Sequence, residues 1–457
     1  MEILIIILFV LGYLAITLEH NLKIDKLIPA LGMMALLWAI IALNHMSVFE
    51  VNPDLQELEE GTLEGILLHH LGKTAEILFF LMGAMTIVEI IDYFDGFSTI
   101  KNYVKTKNKK KLLWIVSSLA FILSAIIDNL TATIVLITIL QKLIKDKELR
   151  LWFAGIIIVA ANAGGAWSPI GDVTTTMLWI ANKVTALSLI EHVFIPSLFC
   201  FAVPTYIASR LAVFKGEIEI DAEEDEEAVT SKYGTIMFYL GLSAIIFVPI
   251  FKTVTHLPPY VGMMLSLAVV AAFAEVYSYR KFSLSDINDS AEHDAAGHHS
   301  PVHKSLSKIE MPSILFFLGI LLAVAALESL GLLFHFAGML NETMPGLGTE
   351  MHSTKISDLV VILLGAGSAI IDNVPLVAAS IGMFQIGVDE PAWHFIAYSA
   401  GTGGSMLIIG SAAGVVAMGM EKIDFFWYLK KIAWLALVGF LAGAAVFILL
   451  RNFILNA

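Results

Sequence analysis

Apolar stretches long enough to cross a bilayer follow one another along almost the whole chain, and this recurrence fixes the solvent in which it can fold. One crossing takes about 20 apolar residues of helix. Ten such segments can be laid out, at residues 2–18, 26–43, 75–96, 151–182, 191–214, 233–251, 259–279, 311–334, 392–420 and 425–450, with those at 151–182 and 392–420 broken near their centres. The chain is 58% hydrophobic and 15% charged, whereas soluble domains are closer to half apolar and a quarter charged. The longest polar stretches, 45–74, 215–232 and 280–310, leave no room for a sizeable soluble domain. No water reaches backbone amides inside the hydrocarbon, so helices are the expected element. Residues 1–18 match a signal peptide in length but lack a basic start and a small-residue cleavage site, and read as the first span.

Two further apolar stretches, 112–144 and 357–388, are too long for one perpendicular span, and each has a polar break near its centre. The breaks are Asp128-Asn129 and Asp372-Asn373-Val374-Pro375. Two short helical arms meeting at a polar tip make a re-entrant hairpin, tolerated at depth only where protein or a water-filled cavity surrounds it. If both hairpins return to the side they left, 22 of the 27 lysines and arginines fall on one side of the membrane. The positive-inside rule makes that side cytoplasmic and places both termini outside.

The chain also repeats itself. Ser124-Ala-Ile-Ile-Asp128-Asn129 recurs letter for letter as Ser368-Ala-Ile-Ile-Asp372-Asn373, 244 residues later. Gly164-Gly165-Ala-Trp-Ser-Pro-Ile170-Gly171 corresponds to Gly403-Gly404-Ser-Met-Leu-Ile-Ile409-Gly410, offset by 239. Leu78-Phe-Phe-Leu81 before Glu89 corresponds to Leu315-Phe-Phe-Leu318 before Glu328. The expected architecture is therefore an all-α polytopic membrane protein of two inverted repeats, 1–214 and 233–457, joined by an acidic cytoplasmic linker at 215–232. Each repeat has five spans plus one re-entrant hairpin, with broken helices at the midplane. An odd number of crossings inserts the second copy upside down, an arrangement common in secondary transporters.

A carboxylate inside an apolar span costs about 3 kcal/mol or more, so it needs a partner, water or an ion. Asp128 and Asp372 stand at such breaks, where carboxylates and free helix-end carbonyls are hard ligands suited to a small cation. Asn129 and Asn373 add neutral oxygens. Asp172, in Pro169-Ile-Gly171-Asp172-Val-Thr174, is a third buried acid, and its counterpart is Ser411. The bland alternative for all of these is a helix cap. Na+ is assigned to Asp128, Asp172 and Asp372, with Asn162, Thr131 and Thr174 as supporting ligands, while Ser124 and Ser368 either orient the adjacent acids or pack helices. Glu76, Glu89 and Glu328 are candidates for a proton path. His69, with His70 and Lys73, is placed at an outer mouth where a histidine can sense pH, or else in an exposed loop. His293, His298, His299 and His303 lie in a polar tether. No cofactor is expected, and a net charge of -14 offers nothing to nucleic acid.

The doubled Ser-Ala-Ile-Ile-Asp-Asn, the segment Gly164 to Thr175 and the topology resemble the NhaD-type sodium/proton antiporters of the ion transporter superfamily. The resemblance spans nearly the whole chain. It implies a homodimer in the inner membrane with scaffold and transport domains, elevator-like movement, and substrate ions Na+, Li+ and H+. Residue by residue it singles out Asp128, Asn129, Asp172, Asp372 and Asn373. The dicarboxylate relatives carry Ser-Asn-Thr at the hairpin tips, where this chain has Asp in the Ser place twice, so fixed negative charge disfavours sodium-coupled anion uptake. An intramembrane aspartyl protease also pairs buried acids, but its Gly-x-Gly-Asp motif would need glycine at Pro169. The expected function is a secondary antiporter, not an enzyme.

Overall fold

The computed structural model describes residues 1–17, 23–52, 57–103, 106–218, 232–285, 300–335, 350–351, 354–370, 373–384 and 386–452. Asp372, His293, His298 and His299 lie outside the described residues. The protein is a polytopic, almost wholly helical membrane protein, and among the described residues eight helices are long and apolar enough to cross a bilayer. Its two short antiparallel ribbons are β1 (Val48–Asn52) with β2 (Glu57–Gly61), and β3 (Glu350–Met351) with β4 (Thr354–Ser357).

Chain contacts divide the molecule into two units, one of residues 1–78, 109–216 and 312–457, the other of residues 79–108 and 217–311. The first holds α1 (Glu2–Thr17), α2 (Leu27–Leu43) and the start of α3 (Leu63–Tyr93). It continues through α4 (Lys109–Ile127), α5 (Asn129–Leu143), α6 (Lys147–Ala166), α7 (Val173–Ile180) and α8 (Ala186–Arg210). The second unit holds the rest of α3 with α9 (Lys232–Thr255), α10 (Pro259–Ser285) and α11 (Pro301–Leu306). The first resumes with α12 (Met311–Ser329), α13 (Asp358–Ser368), α14 (Asn373–Met383), α15 (Pro391–Gly403), α16 (Ala412–Glu421), α17 (Phe425–Lys431) and α18 (Ala433–Leu450).

Burial ranks these helices. The most apolar window of α6 is 89% buried, against 28% for α10. A helix apolar on every side is wrapped by other helices or by lipid, and α6 is the wrapped one. The faces of α1, α9, α10 and α18 show rows of exposed Ile, Leu, Val and Phe, which only hydrocarbon accommodates at this density. Inside the first unit, α15 stacks Phe395 on Phe447 of α18 at 4.6 Å, and the Tyr398 hydroxyl donates to Phe440 O at 2.7 Å. In the second unit α9 and α10 pair through Ser266 Oγ donating to Ala244 O at 2.7 Å, and Lys308 lies 3.8 Å from Asp92.

Every expected span has its helix, with three corrections. The span expected at 75–96 is a helix over Leu63–Tyr93. Hydropathy falls off at Lys73, but helix formation does not, and Thr62 Oγ1 accepts from Gly65 N at 3.3 Å to start it earlier. His69, His70 and Lys73 therefore ride a helix rather than a loop. The span expected at 425–450 breaks at Ile432, whose side chain packs onto Gly155 of α6. The first hairpin has arms of 19 and 15 residues, the second arms of 11 and 11. Lys109 to Lys111 extend the first arm, which at 1.5 Å per residue is about 28 Å long and not the short arm expected.

Two ion pairs tie distant ends of the first unit. Arg150 Nε donates to Glu421 Oε2 at 3.1 Å. Arg451 grips Asp358 through Nη1 to Oδ1 at 2.6 Å and Nη2 to Oδ2 at 2.7 Å. Arg451 and Asp358 are 3% and 5% exposed, so losing one partner leaves the other's charge buried. Arg451→Gln is expected to cost about 3–5 kcal/mol, read as a fall in the thermal unfolding midpoint in detergent. Replacing both residues by Leu should recover most of that loss. A single variant as stable as the unaltered protein would show that the pair contributes nothing.

Candidate functional site

The two broken helices stop at corresponding places, the first at a proline and both at glycine pairs. Helix α6 ends at Ala166, and the chain crosses Ser168-Pro169 before Asp172 caps α7, its Oδ1 accepting from Val173 N at 2.9 Å. Proline removes a donor and disfavours helix in the residue before it. Helix α15 ends at Gly403, and Ser411 caps α16 by accepting from Gly414 N at 3.3 Å. The two caps have the same backbone, φ -150° with ψ 149° at Asp172 and ψ 153° at Ser411.

The packing around the breaks is duplicated too. A Cβ on Gly164 would meet Phe121 O at 2.2 Å, and one on Gly403 would meet Gly365 O at 2.0 Å. Ser124 Oγ donates to Ala161 O in the first half, and Ser368 Oγ to Ala400 O at 3.1 Å in the second. These serines therefore lash a hairpin arm to a broken helix. Their hydroxyls turn to broken-helix carbonyls, which is the helix-packing alternative of the two expected for them.

The carboxylate of Asp172 is where the elements meet, and it is 4% exposed. Its Oδ1 accepts from Asn129 Nδ2 at 3.2 Å, at the start of α5. Its Oδ2 accepts from Asn373 Nδ2 at 3.0 Å, at the start of α14, and from the Thr174 hydroxyl. With Val173 N, four neutral donors converge on one carboxylate, two of them from the two hairpins. Asn129 Nδ2 also reaches Asn162 Oδ1 at 3.1 Å, and Asn162 Nδ2 donates to Ser411 Oγ at 3.0 Å. Helix α15 passes beside the group at Gly401, where a Cβ would stand 3.8 Å from Asp172 Oδ2.

Of the residues singled out in the sequence, the fold gathers Asn129, Asn162, Asp172, Thr174 and Asn373 at this point. Asp128 is next in the chain but turns its carboxylate to α5, where Oδ1 accepts from Thr131 N at 2.7 Å and Oδ2 from Thr131 Oγ1 at 3.0 Å. Its backbone, φ 95° and ψ 159°, lies in a region reserved almost wholly for glycine. Holding Asp there costs about 1–3 kcal/mol, and strain of that size clusters at functional sites. Ser411 was marked only as the counterpart of Asp172. Its hydrogen bond to Asn162 makes it part of the group, and the repeat alignment was the signal that could have found it.

Glu76 and Glu328 lie in the first unit and Glu89 in the second. Glu328 packs its carboxyl on Gly382 of α14, where a Cβ would sit 3.1 Å away, and the charges of Lys73 and Lys183 bear on it. His69 Nε2 is 3.2 Å from Glu50 Oε1 on β1. His303 stands on α11, where its backbone N–H donates to Ser300 Oγ at 3.4 Å.

Residues 6–394 match the model of the citrate transporter family, CitMHS. Sodium/proton antiporter 1 of Arabidopsis thaliana is 39% identical over 98% of this chain and 72% of its own length. The Na(+)/H(+) antiporter NhaD of Vibrio cholerae is 31% identical over 98% of this chain and 91% of its own. Among solved structures, the Alcanivorax borkumensis YdaH transporter matches with a TM-score of 0.58 at 13% identity, over 94% of this chain and 98% of that one, which is a likeness of fold.

Proposed function

The chain belongs to the citrate transporter (CitMHS) family, in the company of the NhaD-type sodium/proton antiporters, and on that premise we propose that it exchanges Na+, and Li+, for H+ across the cytoplasmic membrane. The observation that carries this reading is the buried Asp172 carboxylate with amides from both hairpins directed at it. Carboxylate and amide oxygens are hard ligands that suit a small, weakly polarisable cation. Asn129 and Asn373 direct their NH2 groups at Asp172. Turning each amide over presents its oxygen instead, which converts a cage of donors into a cage of ligands.

The proton enters as a competitor. A protonated Asp172 has lost the charge that draws the cation, and a bound cation raises the cost of protonation. Exchange follows when only the two loaded states, ion or proton, cross between the membrane faces. Asp128 and Asp372 supply further carboxylate at the hairpin tips in this reading, and Glu328, Glu76 and Glu89 are on the proton's route. The citrate of the family name is not carried over, because a buried carboxylate repels an anionic substrate.

The duplicated caps and glycine contacts support two repeats of one ancestral unit, and an odd number of spans in each makes them inverted. Cytoplasmic placement of the lysine-rich ends, outward termini, a homodimer and elevator-like alternation complete the proposal.

Competition has a measurable sign. Below the carboxylate's own titration, apparent Na+ affinity should fall by about tenfold per pH unit, while the rate at saturating Na+ is not lowered by this competition. Proteoliposomes carrying a pH-sensitive dye, given Na+, Li+ or K+ separately, would read it. An apparent affinity that ignores pH would remove the shared carboxylate from the mechanism.

A further inference from the structure

The N-terminal end of α15 holds a polar cluster that the exchange chemistry does not use. His394 of α15 is 0% exposed. Its ring lies parallel to that of His192 on α8, with centroids 4.4 Å apart and planes 13° from parallel. Ser188, one turn before His192, stands between them, its Oγ 3.1 Å from His394 Nε2 and 3.4 Å from His192 Nδ1. His192 Nδ1 also meets Ser188 O at 2.8 Å, which makes it the N–H of the neutral ring. Asp389, in the turn before α15, brings Oδ1 to 3.7 Å from His394 Nε2, and that same oxygen accepts from Thr185 N at 2.7 Å. Lys183 directs its ammonium over the Trp393 ring at 5.1 Å, and the charges that bear on His394 itself are those of His192 and Asp389. His394 Nδ1 is buried without a hydrogen-bond partner among the described residues.

This packing suits neutral rings. Two imidazoles stack face to face when uncharged, but two imidazolium rings at this separation repel. A proton on His394 turns Nδ1 into an N–H donor where the packing offers no acceptor, and a buried donor without one costs about 1–3 kcal/mol. Charging His394 also draws its Nε2 towards Asp389 and away from Ser188. Acid therefore works against the stack from three directions.

The stack is one point of the packing between α8 and α15, both of which lie against α18. Helix α8 packs along α18, and Tyr398 of α15 also bonds to α18. Past its C-terminal end at Gly403, α15 leads to Ser411, whose hydroxyl accepts from Asn162 of the carboxylate group. We propose that the His192–His394 pair is a proton-sensitive latch between α8 and α15, closed while both rings are neutral and released in acid, so that release slows exchange. The latch rests on the exchange reading and adds to it a pH response separate from competition at Asp172.

Saturating Na+ separates the two. Excess Na+ suppresses competition at the carboxylates, so any acid limb that remains in the rate belongs to another group. Exchange would be followed in proteoliposomes from about pH 4 to 8.5, reaching below the ordinary histidine range because burial opposes a charge on His394, for the full-length protein and for His192→Gln and His394→Gln. Glutamine keeps a hydrogen-bonding end but cannot carry the charge. The expected result is a shift of the acid limb by about one pH unit towards acid, with alkaline rates within about twofold of the unaltered protein. Limbs that superimpose, or a rate lowered equally at every pH, would overturn the latch. His192 is only partly buried, so its variant decides the matter even if His394→Gln does not fold. An unaltered protein that moves no protons in response to Na+ would instead sink the exchange reading, and the latch with it.

Discussion

Asp172→Asn is expected to reduce Na+-driven proton exchange by at least about 100-fold, which is roughly 3 kcal/mol of lost ion stabilisation, while the protein stays folded. The substitution preserves shape and removes one charge. It also replaces one carboxylate oxygen by an NH2 group. Oδ1 now accepts from Asn129 and Val173, and Oδ2 from Asn373 and Thr174, so whichever oxygen becomes NH2, two donors face a donor. In the exchange reading the cation loses a charged ligand, and the proton loses its acceptor. Stability should change only modestly, because relief of the buried charge is opposed by the donors left facing a donor. The result is therefore distinguishable from misfolding. Na+ should raise the thermal midpoint of the unaltered protein by mass action and leave that of the variant unmoved. Ser411→Ala is the contrasting case. It removes an acceptor for Asn162 Nδ2, which keeps Ile158 O at 2.9 Å, and should cost less than about tenfold, since one neutral hydrogen bond contributes about 1 kcal/mol. Exchange retained by Asp172→Asn would end the argument that this carboxylate holds the ion.

The sequence disclosed the helices through apolar length alone, because hydrocarbon leaves the backbone few alternatives. It also disclosed where the two broken helices stop, since Pro169 and the glycines around both breaks act locally. What it concealed was geometry that only three-dimensional packing decides. Asp128 and Asp172 read alike as buried acids, yet one turns to Thr131 in its own helix and the other gathers amides from both hairpins. Nothing in their neighbours along the chain separates those outcomes. The His192–His394 stack was equally hidden, since its members are 202 residues apart and neither stands in a motif. Helix ends were misjudged at 63–93 because hydropathy reports the membrane boundary and helix propensity does not respect it. Ser124 and Ser368 shared one motif and share one task, but the task is packing.

That shared task permits a matched pair of substitutions. Gly164→Ala and Gly403→Ala are each expected to destabilise the protein by about 3 kcal/mol or more, seen as lost yield and a lowered thermal midpoint. The added methyl would lie 2.2 Å from Phe121 O in the first case and 2.0 Å from Gly365 O in the second. These carbonyls belong to the first arm of each hairpin, α4 and α13, and backbone cannot step aside as a side chain can. Gly403 would also meet Ser368 Oγ at 2.5 Å, so its cost should be at least as large. Gly32→Ala and Gly72→Ala serve as controls, because a methyl at either meets nothing within 4 Å and alanine is favoured over glycine in a helix by about 1 kcal/mol. The comparison also bears on exchange. In both halves an arm approaches a broken helix closely, and Asn129 and Asn373 begin the helices that follow. A protein that tolerates alanine at Gly164 as readily as at Gly72 would have no such constraint, and the convergence of the two amides on Asp172 would need another cause.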